Sequence, residues 1–206
     1  LPSELRGLAK MYSREVFAAL MHAASQTLLD LGHSRLRATL GVTMVLHTWT
    51  RKLEFHPHVH GLVTAGGLGT DQPEWRATSN SYLFPVKAMS LVFRAKVLAA
   101  LDSLHAQGRF IRFEDFEDPE AFARLMCRIA KKTWVVYAKK PFREVAHVLR
   151  YLGRYTHRVA IANSRLVDVN DTTVSFRTKD GKITMRIPDA LEQLFRNDLN
   201  AHSEST

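Results

Sequence analysis

Two short clusters carry side chains whose types and spacing suit chemistry. In His56-Pro57-His58-Val59-His60 the histidines alternate with other residues. Residues two apart in a strand face the same way, so His58 and His60 project together while Val59 points to the opposite face. Two imidazoles held like this can share one divalent ion, although the same pair is also readable as ordinary surface or core histidines. Two imidazoles rarely complete a coordination sphere, so a third ligand is expected. His47 is the candidate, brought alongside by a hairpin running from Leu46 to Leu62. Glu54, nearer the turn, is the alternative. His56 could join the same face, but Pro57 makes the backbone irregular there.

The second cluster is Tyr151-Leu-Gly-Arg-Tyr155, two phenols one helical turn apart. Arg150, Arg154, His157 and Arg158 surround them. A phenol with a pKa near 10 is a weak nucleophile at neutral pH, and neighbouring cations stabilise its phenolate. Aromatic residues at helical spacing also commonly pack in a core, but Val145, Val148, Leu149 and Leu152 already supply an apolar face here. Gly153 costs a helix about 1 kcal/mol relative to Ala, which points to a close approach or to the helix ending. Histidines that can bind a metal, paired tyrosines and cations together describe transesterification on a phosphodiester. The rival chemistry of converging carboxylates finds little support, because the central acids crowd into Glu114, Asp115, Glu117, Asp118 and Glu120, which read as a solvated loop.

The elements that must position these groups follow from periodicity. Apolar residues from Leu5 to Leu31 recur at helical spacing, and Gly32 is a plausible stop. Leu40–Trp49 is a β-branched, apolar strand, and His58–Thr64 is its antiparallel partner. Residues 66–73, with three glycines, predict a flexible loop. Helices are expected over Val86–His105, from Asp118-Pro119 to near Lys131, over Arg143–Tyr155 and over Asp189–Leu199. Thr133–Ala138 reads as a strand. Leu166–Val169, Thr172–Thr178 and Lys182–Ile187 form a meander with turns at Asn170-Asp171 and Asp180-Gly181. Irregular alternation with several hairpins favours an α+β layer with a mainly antiparallel sheet over a doubly wound parallel one.

Composition narrows the setting. The 206 residues suffice for one substantial core, and no run approaches the roughly 20 apolar residues of a membrane helix. A single cysteine, Cys127, excludes an internal disulfide framework and a multi-cysteine zinc knuckle within this segment. The start lacks an initiator Met and a signal pattern, and reads as a piece of a longer chain or an incomplete reading frame, while the single cysteine fits a reducing cytoplasm. The formal net charge of +9 suggests a polyanionic partner. Apart from Glu144, every charged residue between Arg124 and Arg165 is a Lys or Arg, including Lys139 and Lys140. A phosphate-binding surface is therefore expected around the tyrosines.

Several segments, in this order, resemble the transposases of the insertion sequence 91 family. They are Leu46-His-Thr-Trp49, His56-Pro-His-Val-His60, Ala65-Gly-Gly-Leu68, Phe84-Pro-Val-Lys87, Trp134-Val-Val-Tyr-Ala-Lys139 and Tyr151-Leu-Gly-Arg-Tyr-Thr-His-Arg-Val-Ala-Ile161. The resemblance implies a HUH-type endonuclease related to rolling-circle replication initiators, with a ferredoxin-like antiparallel sheet. It matches His58 and His60 to the metal pair and Tyr151 and Tyr155 to the two nucleophiles. Third ligands vary among such enzymes, so His47 rests on the residue reading alone. The family usually also carries an N-terminal zinc ribbon and a longer C-terminal region, neither of which is recognisable here.

The resulting expectation is a catalytic domain over residues 1–199 followed by a flexible tail over 200–206. It would nick and join single-stranded DNA at transposon ends through a 5′-phosphotyrosine, in the nucleoid and with no membrane association. Mg²⁺ or Mn²⁺ would sit on His58, His60 and His47. Arg150, Arg154, His157, Arg158, Lys139 and Lys140 would bind phosphate. The competing readings are a rolling-circle replication initiator with the same chemistry, a metal-independent tyrosine recombinase using Arg154, His157 and Arg158, and a basic DNA-binding fragment without catalysis.

Overall fold

A computed structural model describes residues 1–50, 52, 54–78, 83–110, 120–142, 144–156, 165–170, 172–178 and 181–186. After a short 3₁₀ turn come α1 (Arg6–Met11) and α2 (Ser13–Leu36), then β1 (Ala38–Trp49), β2 (Phe55–Gly69) and β3 (Trp75–Ala77). Helices α3 (Val86–Ala106), α4 (Ala121–Ala130) and α5 (Val145–Thr156) follow, and then β4 (Leu166–Val169), β5 (Thr173–Thr178) and β6 (Gly181–Arg186). The fold is α+β, with a three-stranded antiparallel sheet β1-β2-β3 flanked by helices, as in HUH endonucleases. The predicted meander forms a second antiparallel sheet, β4-β5-β6. The expected helix over Asp189–Leu199 and the tail lie outside the described residues. None of the described helices is long and apolar enough to cross a membrane.

The N-terminal helical stretch is two helices, broken at Tyr12, whose φ of −118° and ψ of 54° leave the helical region. On α2 the buried Val16, Ala19, Leu20, Ala23, Thr27 and Leu31 recur every three or four residues and form one stripe. Of these, Val16, Leu20 and Ala23 build the main core with Leu5, Leu8, Val97, Leu101, Phe122 and Ile129, and Leu46, Phe55 and Val59 pack on it. A second cluster gathers Leu31, Leu40, Phe84 and Met89, with Val42, Val63, Val136 and Ala138 against it. The sheet thus has one face on the helices, and among the described residues neither core cluster covers the other.

The structure differs from the sequence-based expectation in three places here. Gly32 does not stop α2, which continues to Leu36 and ends at Arg37 in a left-handed conformation (φ 48°). A Cβ on Gly32 would stand 2.9 Å from the Ala38 carbonyl oxygen, so this glycine lets β1 approach the helix. Residues 66–69 are the end of β2 and not a loop, since β3 pairs with them. Gly67 is required there because a Cβ would run into the Thr39 carbonyl oxygen on β1. Periodicity misses this, because glycine signals a loop and a crowded strand with the same letter. Finally, Thr133–Ala138 has the alternation of a strand but no ladder among the described residues.

Candidate metal centre and nucleic-acid site

The β1–β2 hairpin carries the histidines. His47 lies directly opposite His58, and Val45 opposite His60. Leu46 faces Val59 on the helix side, so alternation sends all three imidazoles to the opposite face. The ring centroids are 5.5 Å apart for His47 and His58, 4.6 Å for His47 and His60, and 4.8 Å for His58 and His60. One nitrogen from each falls within 4.8 Å of the others. The hairpin alone predicts His47 as the third member, and the structure brings it to the pair. Trp49 continues the row, its ring stacked parallel to that of His47 at 6.5 Å.

A register shift sets the geometry at the N-terminal edge of this group. Between His47 and Trp49 the partner strand runs from His58 to Phe55, which leaves an extra residue in the His56-Pro57 step. Pro57 has no N–H to give a ladder, so a bulge is where a proline fits inside a strand. Its ring is buried, while the freed His56 carbonyl accepts a hydrogen bond from His58 Nδ1 at 2.6 Å. That bond fixes the His58 tautomer and leaves Nε2 with the lone pair a metal ion requires. His56 itself accepts from Arg6 Nη2 at 3.0 Å, while Arg6 Nε is buried without a hydrogen-bond partner. Arg6 lies 50 residues away from His56 in sequence, and no motif announces it. Glu54, the alternative third ligand, sits in the turn instead, where its carbonyl accepts from the Thr50 N–H at 2.9 Å.

The electrostatics favour lone pairs over protons. Burial, with the charges of His47, His58 and Lys139, pushes His60 down to about 4 from an ordinary 6.5. Burial also holds His58 below its ordinary value, despite the bond to the His56 carbonyl, and it lowers His56. His58 and His60, disfavoured as cations in this way, offer lone pairs that suit a divalent ion. The donor set is all nitrogen.

The tyrosines lie on α5, Tyr155 one turn beyond Tyr151. The Tyr151 ring meets that of Phe142 at 5.5 Å. Arg150 is exposed on the same helix, and Arg154 lies within it, while His157 and Arg158 fall outside the described residues. Leu149 is 63% exposed, so the apolar face expected of this helix is not fully covered. Among the described residues, a Cβ on Gly153 would meet nothing within 4 Å, so none of them accounts for this glycine by close approach; it stands three residues before the helix end. Lys139 and Lys140 are exposed on the extended segment that precedes α5.

An antiparallel sheet with three imidazoles on one face, followed by a helix bearing two tyrosines, is the arrangement that the resemblance to the insertion sequence 91 family implies. Among known proteins, a family model described as "Putative transposase" matches residues 41–198, and the chain belongs to that family. The chain is 38% identical over 185 residues to the "Putative transposase y4qJ" of Sinorhizobium fredii. That match covers 87% of this chain and 46% of the relative. It is also 28% identical over 198 residues to the "Transposase for insertion sequence element IS801" of Pseudomonas savastanoi pv. phaseolicola, covering 90% of this chain and 45% of that protein. The chain therefore spans about half the length of these curated relatives. No solved structure matches.

Proposed function

We propose that this chain is the catalytic portion, over residues 1–199, of a transposase that nicks and rejoins single-stranded DNA through tyrosine transesterification. The observation that carries the reading is the convergence of His47, His58 and His60 on one sheet face. His47, His58 and His60 would hold a divalent ion, which when bound would supply Lewis-acid polarisation of the scissile phosphate. Of the two ions expected, an all-imidazole set without a carboxylate favours Mn²⁺ over the harder Mg²⁺.

The chain's own groups do the rest. Arg150, Arg154, His157, Arg158, Lys139 and Lys140 hold the DNA by its phosphates and lower the cost of a phenolate. The phenol oxygen of Tyr151 or Tyr155 attacks phosphorus as its proton leaves. The bond from phosphorus to the 3′ oxygen breaks, and that oxygen takes up a proton. The products are a 5′-phosphotyrosine and a free 3′-OH. A second tyrosine one turn away permits another cut while the first linkage persists, which a strand-transfer cycle on transposon ends requires. The transposase relatives favour this over replication initiation with the same chemistry.

The test incubates the protein with end-labelled single-stranded DNA and Mn²⁺, then resolves covalent protein–DNA bands on a denaturing gel. The expected result is a band that disappears with EDTA and in the Tyr151→Phe/Tyr155→Phe double variant. A band that survives EDTA would point to metal-independent recombinase chemistry. DNA binding without any band would leave only a basic DNA-binding module.

A further inference from the structure

The extended segment between α4 and α5 presents an apolar, aromatic surface that the proposed chemistry does not use. Trp134 is buried, its indole Nε1–H donating to the Ile129 carbonyl at 3.1 Å and its own carbonyl accepting from Ser90 Oγ at 2.5 Å. Val136 and Ala138 pack on the second core cluster, as Val42 and Val63 of the sheet do. With alternate residues anchored inward, Val135 and Tyr137 turn outward and are 90% and 80% exposed. These two side chains thus point away from the cluster that Val42 and Val63 of the sheet also join, into solvent. Lys139, next in alternation, is close enough for its charge to act on His60. The segment then passes exposed Lys140 to Phe142, whose ring touches that of Tyr151.

We infer that Val135 and Tyr137 form a stacking platform for the bases of a single DNA strand, with Lys139 and Lys140 taking its phosphates on the way to Tyr151. Three features select this occupant. A flat ring and a β-branched neighbour, held outward on a backbone pinned by Trp134, suit the π-face of any unpaired base. Cations follow the ring on the same segment, and no acid lies between Ala121 and Arg143, which matches a polyanion. The segment also links the vicinity of the histidines to the ring of a candidate nucleophile, so a strand lying along it is delivered to both. A duplex has its bases already stacked and gains nothing from the platform. The inference rests on the reading of the chain as an enzyme of single-stranded DNA and adds where that strand lies.

The test measures fluorescence anisotropy of a labelled oligothymidine, and of the same strand annealed to its complement, with the whole chain at several salt concentrations. Tyr137→Ala should weaken single-strand binding roughly tenfold with the salt slope unchanged, and leave duplex binding as it was. Tyr137→Phe keeps the ring and should bind like the wild type, which separates stacking from any loss of structure. Lys139→Ala/Lys140→Ala should instead lower the salt slope, by roughly 0.7 for each phosphate that is no longer neutralised. Unchanged affinity in Tyr137→Ala overturns the inference. So does equal loss in Tyr137→Phe, or a change confined to the oligomeric state, which would make the surface an interface between two copies. Should the wild type form no Mn²⁺-dependent adduct while single-strand binding still depends on Tyr137, the enzymatic reading fails and the platform stands.

Discussion

The β1–β2 hairpin and helix α5 hold the two halves of the candidate chemistry in opposite ways. In the hairpin the histidines sit in paired strands whose other face, through Leu46 and Val59, packs on the core, and His58 has its tautomer locked by the His56 carbonyl. On α5, Leu149 is largely exposed, no described residue crowds Gly153, and Tyr151 leans on Phe142. In the proposed function, the hairpin is a preorganised set of candidate ligands. The helix there carries the two candidate nucleophiles. In a two-tyrosine reaction the metal group serves every cut, whereas the tyrosines take turns, so rigidity belongs with the first and freedom with the second.

The largest effect expected from this contrast is on metal affinity. Replacing His60 by Ala removes one of three ligands, and Mn²⁺ affinity followed by calorimetry should fall about 100-fold or more, beyond what loss of an outer partner costs. Unchanged affinity would remove the hairpin from the metal site altogether. A smaller, pH-dependent effect follows from the suppressed basicity of the group. Between 6.5 and about 4 the unfolded chain binds a proton at His60 that the folded, metal-free chain does not. Stability therefore falls as pH drops through that window and is insensitive to this group above it. Thermal melts of metal-free protein should show the decline, with a shallower slope in His60→Gln; parallel slopes would argue that the imidazole is not held in a desolvated, cationic setting. The smallest effects compare two glycines. Gly67→Ala should cost roughly 1–3 kcal/mol, because its Cβ meets backbone of β1. Gly153→Ala should gain up to about 1 kcal/mol, because no described residue opposes it. Equal responses in denaturant melts would erase the difference between hairpin and helix.

The histidine half is the more legible in sequence. Alternation in His58-Val59-His60 is a local rule, and placing His47 needs only a hairpin, which the β-branched run before it supplies. Helices α3, α4 and α5 are visible in periodicity to within a few residues. What escapes are relations between distant segments. Glycine at 32 and 67 reads as an interruption until the packed neighbour is known. The outward face of Val135 and Tyr137 appears only once Trp134 and Val136 are seen to be anchored on helix and sheet. Arg6 reaches His56 through the fold and not through any spacing.

The most direct test of hairpin and helix as one centre is the yield of covalent protein–DNA adduct with Mn²⁺ in the wild type and in His58→Ala and His60→Ala. The account predicts a strong band in the wild type and none in either variant, although Tyr151 and Tyr155 are intact in all three. A band of undiminished strength in the histidine variants would contradict it, because the tyrosines would then be working without the metal group.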